Sequence, residues 1–499
     1  MEAKNIVAIE IASSKVKGAV AAVAPDGTLT ILAVDQIPCV NMVRHGRVQN
    51  VREVSATVNS LISKLENSPL VAPAKIRAVV LALGGRSLAA TPASASITFS
   101  RELEVSEETI RRLKKEAAKD FVSTKNIEET IARKFFVNNV EVKSAVGTVG
   151  SSLKGDFLIV SCARENRQNL ERLKFDTINA GSVFYQLRPT ALADLVLSPD
   201  DRQLGCALVD FGAETVTVSV YKDGTLGFLS TLPMGSRLIT MDLMSGLKLT
   251  ESAAEDFKLR LGSLGDYDAT APNADDVNDY VRARAGEIAA NIVNQIELSG
   301  FAPENLGAGI VLAGGGAMLP EFGTLLAGQS HMPLRHARMP EIISFVDDRL
   351  AVPANIDVVA IAAAAAANPE IDCLSRREPE ADVAAPTAPV VAAVEEPIHA
   401  EPEPERPSRR YVPAEDDPDL LADDDDDAPR RPRGDAPQKP KLAEPKPVED
   451  EEDEEDEEEA PEQSAGRLQS LLNKLTMKID SIFGAPTDED EEDDVPAKK

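Results

Sequence analysis

Apolar and β-branched residues cluster in the first part of the chain in short runs that are typical of strands. Three such runs lie between Ile6 and Asp35, and a Pro-Asp-Gly turn at 25–27 separates the last two. The same order of strand, strand, turn and strand returns from residue 204, with a Lys-Asp-Gly turn at 222–224. A repeat at this scale predicts two related halves, each a mixed sheet with helices.

Helical periodicity and further apolar runs extend this pattern. They predict helices at 51–66, 107–119, 163–180, 236–246, 250–262 and 277–299, an alanine-rich helix ending at 368, and strands at 76–83, 157–162 and 309–313. Residues 86–160 differ in character. They contain an alternating stretch at 88–99, a strand at 135–142 and a turn-rich stretch at 145–156. We therefore expect an insert at this place in the first half.

The negative charge of the chain is concentrated near its C-terminus. The net charge is -30, and residues 375–499 carry 39 acidic and 16 basic residues, so that only -7 remains for the rest. No basic stripe for nucleic acid is present. Acidic runs such as 423–427 and 451–459 cannot bury enough apolar area to offset chain entropy. We expect a disordered acidic linker at 369–465 and an acidic tail at 485–499.

Residues 466–484 form one amphipathic segment between these acidic stretches. On a 3.6-residue helix its apolar side chains fall within an arc of about 120°; they are Leu468, Leu471, Leu472, Leu475, Ile479, Ile482 and Phe483. Arg467, Lys474 and Lys478 border that arc, where their charges can meet lipid head groups. Charges interrupt the segment throughout, so it cannot span a membrane. The pattern favours a helix lying in the membrane plane, and docking on protein is the alternative.

The cysteines and the N-terminus indicate the compartment. The four cysteines, at 39, 162, 206 and 373, are far apart in mostly apolar surroundings. This spacing is typical of buried thiols in a reducing compartment, not of a disulfide or metal framework. The first fifteen residues carry charges where a signal peptide needs an apolar run, which predicts a cytoplasmic chain.

Three turns rich in small residues carry the candidate chemistry. Residues 10–15 and 210–215 are hairpin turns at matching places in the two halves. Each begins with a carboxylate, Glu10 or Asp210, just before the turn itself. Small residues let backbone N–H groups approach a phosphate, and such a carboxylate could hold Mg²⁺ through water. Residues 312–317 form a glycine-rich strand-to-helix turn suited to the edge of a nucleotide. Each turn alone is a weak signal, because Gly and Ala are also typical of tight β-turns that bind no ligand.

Together, in this order and spacing, the three turns resemble phosphate 1, phosphate 2 and the adenosine motif of the actin-like ATPase superfamily. Within it the chain is most similar to the bacterial cell-division FtsA family, over residues 5 to 368. Further stretches carry this resemblance: 46–51, 84–87, 147–153, 232–235, 239–242 and the Ala-Glu-x-x-Lys motif at 254–258. The tethered C-terminal helix is also a feature of that family.

The resemblance implies an α/β, ribonuclease H-like, two-lobed fold with an inserted SHS2-type subdomain. The implied boundaries are subdomain 1A at 1–84 and 161–203, subdomain 1C at 85–160, subdomain 2A at 204–245 and 307–368, and subdomain 2B at 246–306. The linker, the helix at 466–484 and the acidic tail follow.

The resemblance also implies ATP and Mg²⁺ as ligands. Glu10 and Asp210 would position Mg²⁺ or a water. The residues implied for ATP are Ala12, Ser13, Ser14, Lys15, Gly212, Ala213, Thr215, Glu255, Lys258, Gly314, Gly315 and Gly316. Glu10 stands where the family has Asp, Ala12 where it has Gly, and Ala213 and Glu214 replace two further glycines. We therefore expect ATP binding with slow hydrolysis.

The implied partners are those of a division filament. The chain would polymerise with itself through subdomain 1C, bind membrane lipid, and hold the C-terminal peptide of FtsZ on subdomain 2B; downstream division proteins are possible further partners. Arg282 and Arg284 are candidates for an acidic peptide, and a solvated helix face is the alternative. The competing functions are a pilus-assembly scaffold of the same fold and a small-molecule kinase. A substrate loop and a catalytic Asp between the halves, which a kinase needs, are not apparent.

Overall fold

The computed structural model describes residues 4–121 and 125–375. All of them fall within the first of two compact units, Met1–Ala381. The helix predicted at 466–484 and the tail at 485–499 lie outside the described residues, as does the linker from 376 onward.

The first part of the chain contains a mixed sheet and a long insert. Its elements are β1 Lys4–Ile11, β2 Lys15–Val23, β3 Leu29–Pro38, β4 Val43–Arg44, β5 Arg47–Val48, α1 Val51–Glu66, β6 Val79–Leu83, β7 Ala89–Glu104, α2 Glu107–Ala117, β8 Lys125–Val137, β9 Val140–Val142, β10 Val149–Ala163, α3 Arg164–Glu171, β11 Val183–Leu187, α4 Arg188–Val196 and α5 Pro199–Leu204.

The remainder of the described chain builds a second sheet and its helices. Its elements are β12 Cys206–Phe211, β13 Val216–Lys222, β14 Thr225–Leu232, α6 Arg237–Leu247, α7 Glu251–Leu261, α8 Ala274–Leu298, β15 Gly309–Ala313, α9 Phe322–Ser330, β16 Leu334–His336, β17 Ile343–Phe345 and α10 Ile356–Ala366.

The two sheets share one topology. The first has the order β11-β6-β1-β2-β3-β17, in which β1 pairs antiparallel with β2 and parallel with β6. The second contains β16-β15-β12-β13-β14, and β12 likewise pairs antiparallel with β13 and parallel with β15. The predicted internal repeat is therefore confirmed. It places the β1–β2 and β12–β13 hairpin turns at equivalent positions.

Helix α1 shows how local sequence forms these layers. The side chain of Asn50 accepts the backbone N–H of Glu53 at 3.2 Å and so caps the first turn. The buried face of α1 packs on β2. A Cβ at Gly18 of β2 would lie 2.8 Å from a methyl group of Leu65 and 3.2 Å from one of Leu61. A glycine is thus required for this close approach of helix and strand.

The insert has its own core but differs from the sequence prediction. Its core includes Val105, Leu113 and Phe157. Residues 145–156, predicted as turns, lie mostly in the long strand β10, and the strand predicted at 135–142 is divided into β8 and β9. A Cβ at Gly150 would lie 2.4 Å from a methyl group of Val137. This glycine therefore permits close packing within a strand; it does not mark a turn.

The end of the described chain also differs from its predicted placement. We expected residues 307–368 to belong to the second half. Strand β17 instead pairs with β3, and α10 packs on α4 and β1 of the first sheet. Helix α10 is apolar on nearly all sides and is buried along its length, which suits a helix enclosed by other elements. Helix α3, predicted to reach residue 180, ends at Glu171.

Candidate functional site

The two predicted phosphate turns have the same backbone geometry. In the first, the N–H of Ala12 donates to the carbonyl of Lys15 at 3.0 Å. In the second, the N–H of Gly212 donates to the carbonyl of Thr215 at 2.8 Å. Ser13 is buried in the first turn, and its hydroxyl accepts the N–H of Gly46 at 2.9 Å. Both turns line one cleft, so the structure brings together what the sequence placed 200 residues apart.

The glycine-rich turn reaches the same site through β15, which lies parallel to β12. A Cβ on Gly314 would lie 2.4 Å from the carbonyl oxygen of Phe211 and 2.7 Å from Oδ1 of Asp210. A Cβ on Gly316 would lie 2.7 Å from the Phe211 ring, whereas one on Gly315 would meet nothing within 4 Å. Gly314 and Gly316 are therefore needed for packing against β12, and Gly315 faces open space.

Glu255 and Lys258 bond to each other and to the start of α6. The buried Lys258 Nζ donates to Oε2 of Glu255 at 2.7 Å, to Oγ1 of Thr240 at 2.9 Å and to the Ser236 carbonyl at 3.3 Å. The N–H of Ser236 in turn donates to the carbonyl of Gly212 at 3.0 Å. The pair thus supports the second turn through residue 236.

The cleft also contains an arginine that sequence reasoning missed. Arg188 is the first residue of α4. Its Nη1 donates to Oε1 of Glu10 at 3.2 Å, and its Nη2 lies 2.7 Å from Oδ2 of Asp210. The three side chains are only 12%, 9% and 3% exposed. An arginine between an apolar strand and Pro189 was the available signal, but its partners are distant in sequence.

Two further charged side chains lie near this ion triad of Glu10, Arg188 and Asp210. Burial raises the pKa of Asp210, an effect that Arg188 opposes and Glu10 strengthens. Burial raises the pKa of Asp357 well above its usual value, and burial lowers the pKa of Lys17. Burial also disfavours the charge of Arg188, but the carboxylates outweigh it and raise its pKa. The contact of Arg188 with Asp210 is ionic, without hydrogen-bond alignment, since both Asp210 oxygens are buried and accept no hydrogen bond.

A second group of contacts crosses the cleft at Glu214. Its Oε2 accepts the backbone N–H of His45 at 2.6 Å, and its Oε1 accepts Nη1 of Arg237 at 3.1 Å. Nη2 of Arg237 donates to Oδ1 of Asn41 at 3.2 Å. Glu214, which stands where the family has a glycine, is thus paired with these donors.

The residues present do not fit Mg²⁺ at the predicted position. Mg²⁺ needs oxygen ligands and usually keeps several waters, whereas Glu10 and Asp210 already share the guanidinium of Arg188. Within residues 4–121 and 125–375 no group of three or more His, Cys, Asp or Glu side chains could hold a metal. The cavity between the turns measures about 50 Å³, against roughly 300–1,000 Å³ for pockets that enclose small ligands. With so little space between the turns, ATP binding stays a prediction.

The candidate partner residues lie on α8 and differ in exposure. Arg284 is 15% exposed and bonds to both oxygens of Asp242, at 2.6 and 2.9 Å, and to Glu287. Arg282 is 45% exposed and lies 3.7 Å from Asp279. Arg284 therefore joins α8 to α6, and Arg282 is the more accessible. The ten residues predicted to meet lipid lie outside the described part of the chain, within which no helix is long and apolar enough to cross a membrane.

Comparisons with known proteins agree with this architecture. The family model described as cell division protein FtsA matches residues 207–371. Cell division protein FtsA of Porphyromonas gingivalis is 30% identical over 330 residues, which cover 63% of this chain and 68% of the relative. The Escherichia coli K12 protein of that name is 25% identical over 348 residues, 63% of this chain and 80% of the relative.

A solved structure, the PilM–PilN type IV pilus biogenesis complex, matches with a TM-score of 0.52 at 14% identity. The match covers 73% of this chain and 99% of that one. At this identity it shows the fold alone. The predicted actin-like α/β fold is confirmed.

Proposed function

Because this chain belongs to the FtsA family of cell division proteins, we propose that it polymerises at the cytoplasmic face of the membrane and attaches FtsZ filaments to it. The observation that carries the membrane role is the apolar arc of residues 466–484, set apart from the folded body by an acidic linker. In the sequence, the neighbouring stretches 449–465 and 485–499 are rich in acidic residues and contain no apolar run that could cover that arc.

The apolar arc outweighs the basic residues in this proposal. Burying one Leu, Ile or Phe side chain fully contributes roughly 1.5–3 kcal/mol, and less at an interface. Seven such residues at partial depth exceed three basic residues at about 1 kcal/mol each near an anionic surface. The acidic runs on either side of the helix are repelled by that surface, so salt should strengthen binding by screening them.

Sedimentation of the full chain with anionic liposomes tests the membrane role. Leu472→Glu combined with Ile479→Glu places two charges on the apolar arc and should abolish sedimentation with lipid. The matched control, Lys474→Gln with Lys478→Gln, changes two residues on the border of the same helix and should only weaken it. If the double Glu variant still sediments with lipid, the helix is not the anchor and docks on protein.

We propose that the FtsZ C-terminal peptide binds the region of α7 and α8. Arg282 supports this because it is exposed and bears a charge opposite to that of an acidic peptide. In a titration followed by fluorescence anisotropy, Arg282→Glu should weaken peptide binding, and Asp279→Asn, at a neighbouring side chain that is more exposed, should not. Equal affinity of the Arg282 variant and the unchanged chain would exclude this residue from the contact.

We propose ATP as the ligand of the cleft when its two sides separate, with at most slow hydrolysis. The equivalent turns at 12–15 and 212–215 and the open space at Gly315 support this assignment. No side chain near them is placed as a dedicated general base, because Glu10 and Asp210 are both paired with Arg188. A turnover on the order of 10 per second, typical of metabolic enzymes, would contradict it.

A further inference from the structure

We infer that the guanidinium of Arg188 is a built-in replacement for a divalent cation and holds the cleft closed without metal or nucleotide. The inference rests on the proposed function only in taking this cleft to be the nucleotide site. It concerns how the site is regulated, which family membership does not specify.

The ion triad joins the two sheets. Glu10 lies on β1 and Arg188 follows β11, both strands of the first sheet, whereas Asp210 lies on β12 of the second. The 2.7 Å contact between Arg188 and Asp210 therefore spans the cleft. Two further bonds span it a second time: the N–H of His45 donates to Glu214, and Arg237 donates to Oδ1 of Asn41.

The shape of the guanidinium suits a position between two carboxylates. Its planar fork presents several donors, so that one side chain can meet two carboxylates at once. Nη1 donates a hydrogen bond to Glu10, and Nη2 makes the ionic contact with Asp210. Without Arg188, the two buried carboxylates would have no shared counter-charge, which is costly for buried charges.

A metal ion cannot simply be added to this arrangement. Mg²⁺ between the carboxylates would lie within a few ångströms of a positive charge in a site of low dielectric constant, where like charges repel strongly. Arg188 would have to withdraw first, and its side chain is only 12% exposed. Closure and metal binding at this site are therefore mutually exclusive.

Hydrogen exchange of the full chain, without ligand, tests the inference on peptides that cover residues 11–15 and 211–215. Arg188→Gln should accelerate exchange in both turns by about tenfold or more, the loss expected for charge-assisted contacts. Arg188→Lys, which keeps the charge, should restore part of the protection. The matched control is Arg167→Gln, which removes a guanidinium that also bridges two carboxylates, Glu128 and Glu171, outside the cleft; it should leave both turns unchanged.

Addition of Mg²⁺ separates a cation substitute from a merely structural arginine. Mg²⁺ should slow exchange again in Arg188→Gln, where the two carboxylates are free to hold it, and should have no effect on the unchanged chain. Asp210→Asn removes one carboxylate, and Arg188 stays paired because Glu10 remains. This variant should accelerate exchange in both turns, and Mg²⁺ should not slow it again. This variant also tests the closure if Arg188→Gln does not fold.

The inference is overturned if Mg²⁺ slows exchange in the unchanged chain, if it has no effect on a folded Arg188→Gln, or if neither Arg188→Gln nor Asp210→Asn opens the turns. None of these results bears on lipid sedimentation or peptide binding, which do not involve Arg188. Failure of the proposed function and failure of this inference are therefore distinguishable.

Discussion

Glu214 offers a quantitative test of how firmly the cleft is held. Its side chain is only 11% exposed and accepts two bonds, from the His45 N–H at 2.6 Å and from Arg237 at 3.1 Å. A hydrogen bond to a charged group contributes about 1.5–3 kcal/mol. Glu214→Gln keeps an oxygen but loses the charge, which should cost about 1.5 kcal/mol, or roughly tenfold in a local opening equilibrium. Glu214→Ala removes both bonds and should cost about 3 kcal/mol, or roughly a hundredfold.

Hydrogen exchange measured by mass spectrometry on a peptide covering residues 43–48 reports this opening directly, since the His45 amide lies within it. The control is Glu251→Gln. Glu251 bonds the other nitrogen of Arg237 at 2.6 Å but is 44% exposed and does not reach His45. An exposed pair contributes about 0.2–1 kcal/mol, so exchange should rise by no more than about fivefold. If Glu214→Ala leaves exchange in this peptide unchanged, the contact with His45 does not hold the cleft.

Three further predictions concern other parts of the molecule. Replacing residues 93–156 with a short turn should leave a folded, lipid-binding body, because the insert has its own core, but should abolish filaments in electron micrographs; filaments of normal length would contradict this. In calorimetry, Gly315→Asp should abolish ATP binding by adding negative charge, whereas Gly315→Ala should retain it, since a Cβ meets nothing there; equal affinities would exclude this turn from the site. Burial raises the pKa of Cys162, Cys206 and Cys373 to about 12, so these thiols should resist alkylation at neutral pH until the chain is denatured. Alkylation of any of these three thiols in the folded chain would refute this prediction.

Local patterns were sufficient to predict the two hairpins, the glycine-rich turn and most helices. The β1–β2 and β12–β13 hairpins and the turn after β15 each depend on small residues close together in sequence, so their signal is visible without a structure. The placement of α10 was not predictable in this way. Its alanine-rich surface fits any enclosed position, and only the packing on α4 and β1 shows which half receives it.

The content of the cleft was predicted only in part. The carboxylates Glu10 and Asp210 were identified because they precede the turns, but Arg188 is 178 positions from Glu10 in the chain. No local pattern distinguishes an arginine that will pair with two distant carboxylates from one that will face solvent. Gly150 led to a wrong prediction of a turn. A glycine that is needed for close contact with Val137 looks the same in sequence as a glycine in a turn.

The second sheet continues from β14 through the insert strands β7, β10, β8 and β9 and so has nine strands, which has a mechanical consequence. The chain enters the insert from β6 of the first sheet and returns through α3 to β11 of the same sheet. The insert is thus covalently linked to the first sheet at both ends, yet Ala89 of β7 pairs with Ser230 of β14 and continues the second sheet. A separation of the two sheets must either break that pair or rotate the insert with the second sheet. The orientation of the insert therefore changes with the width of the cleft. The same holds for any surface that the insert offers to a neighbouring subunit.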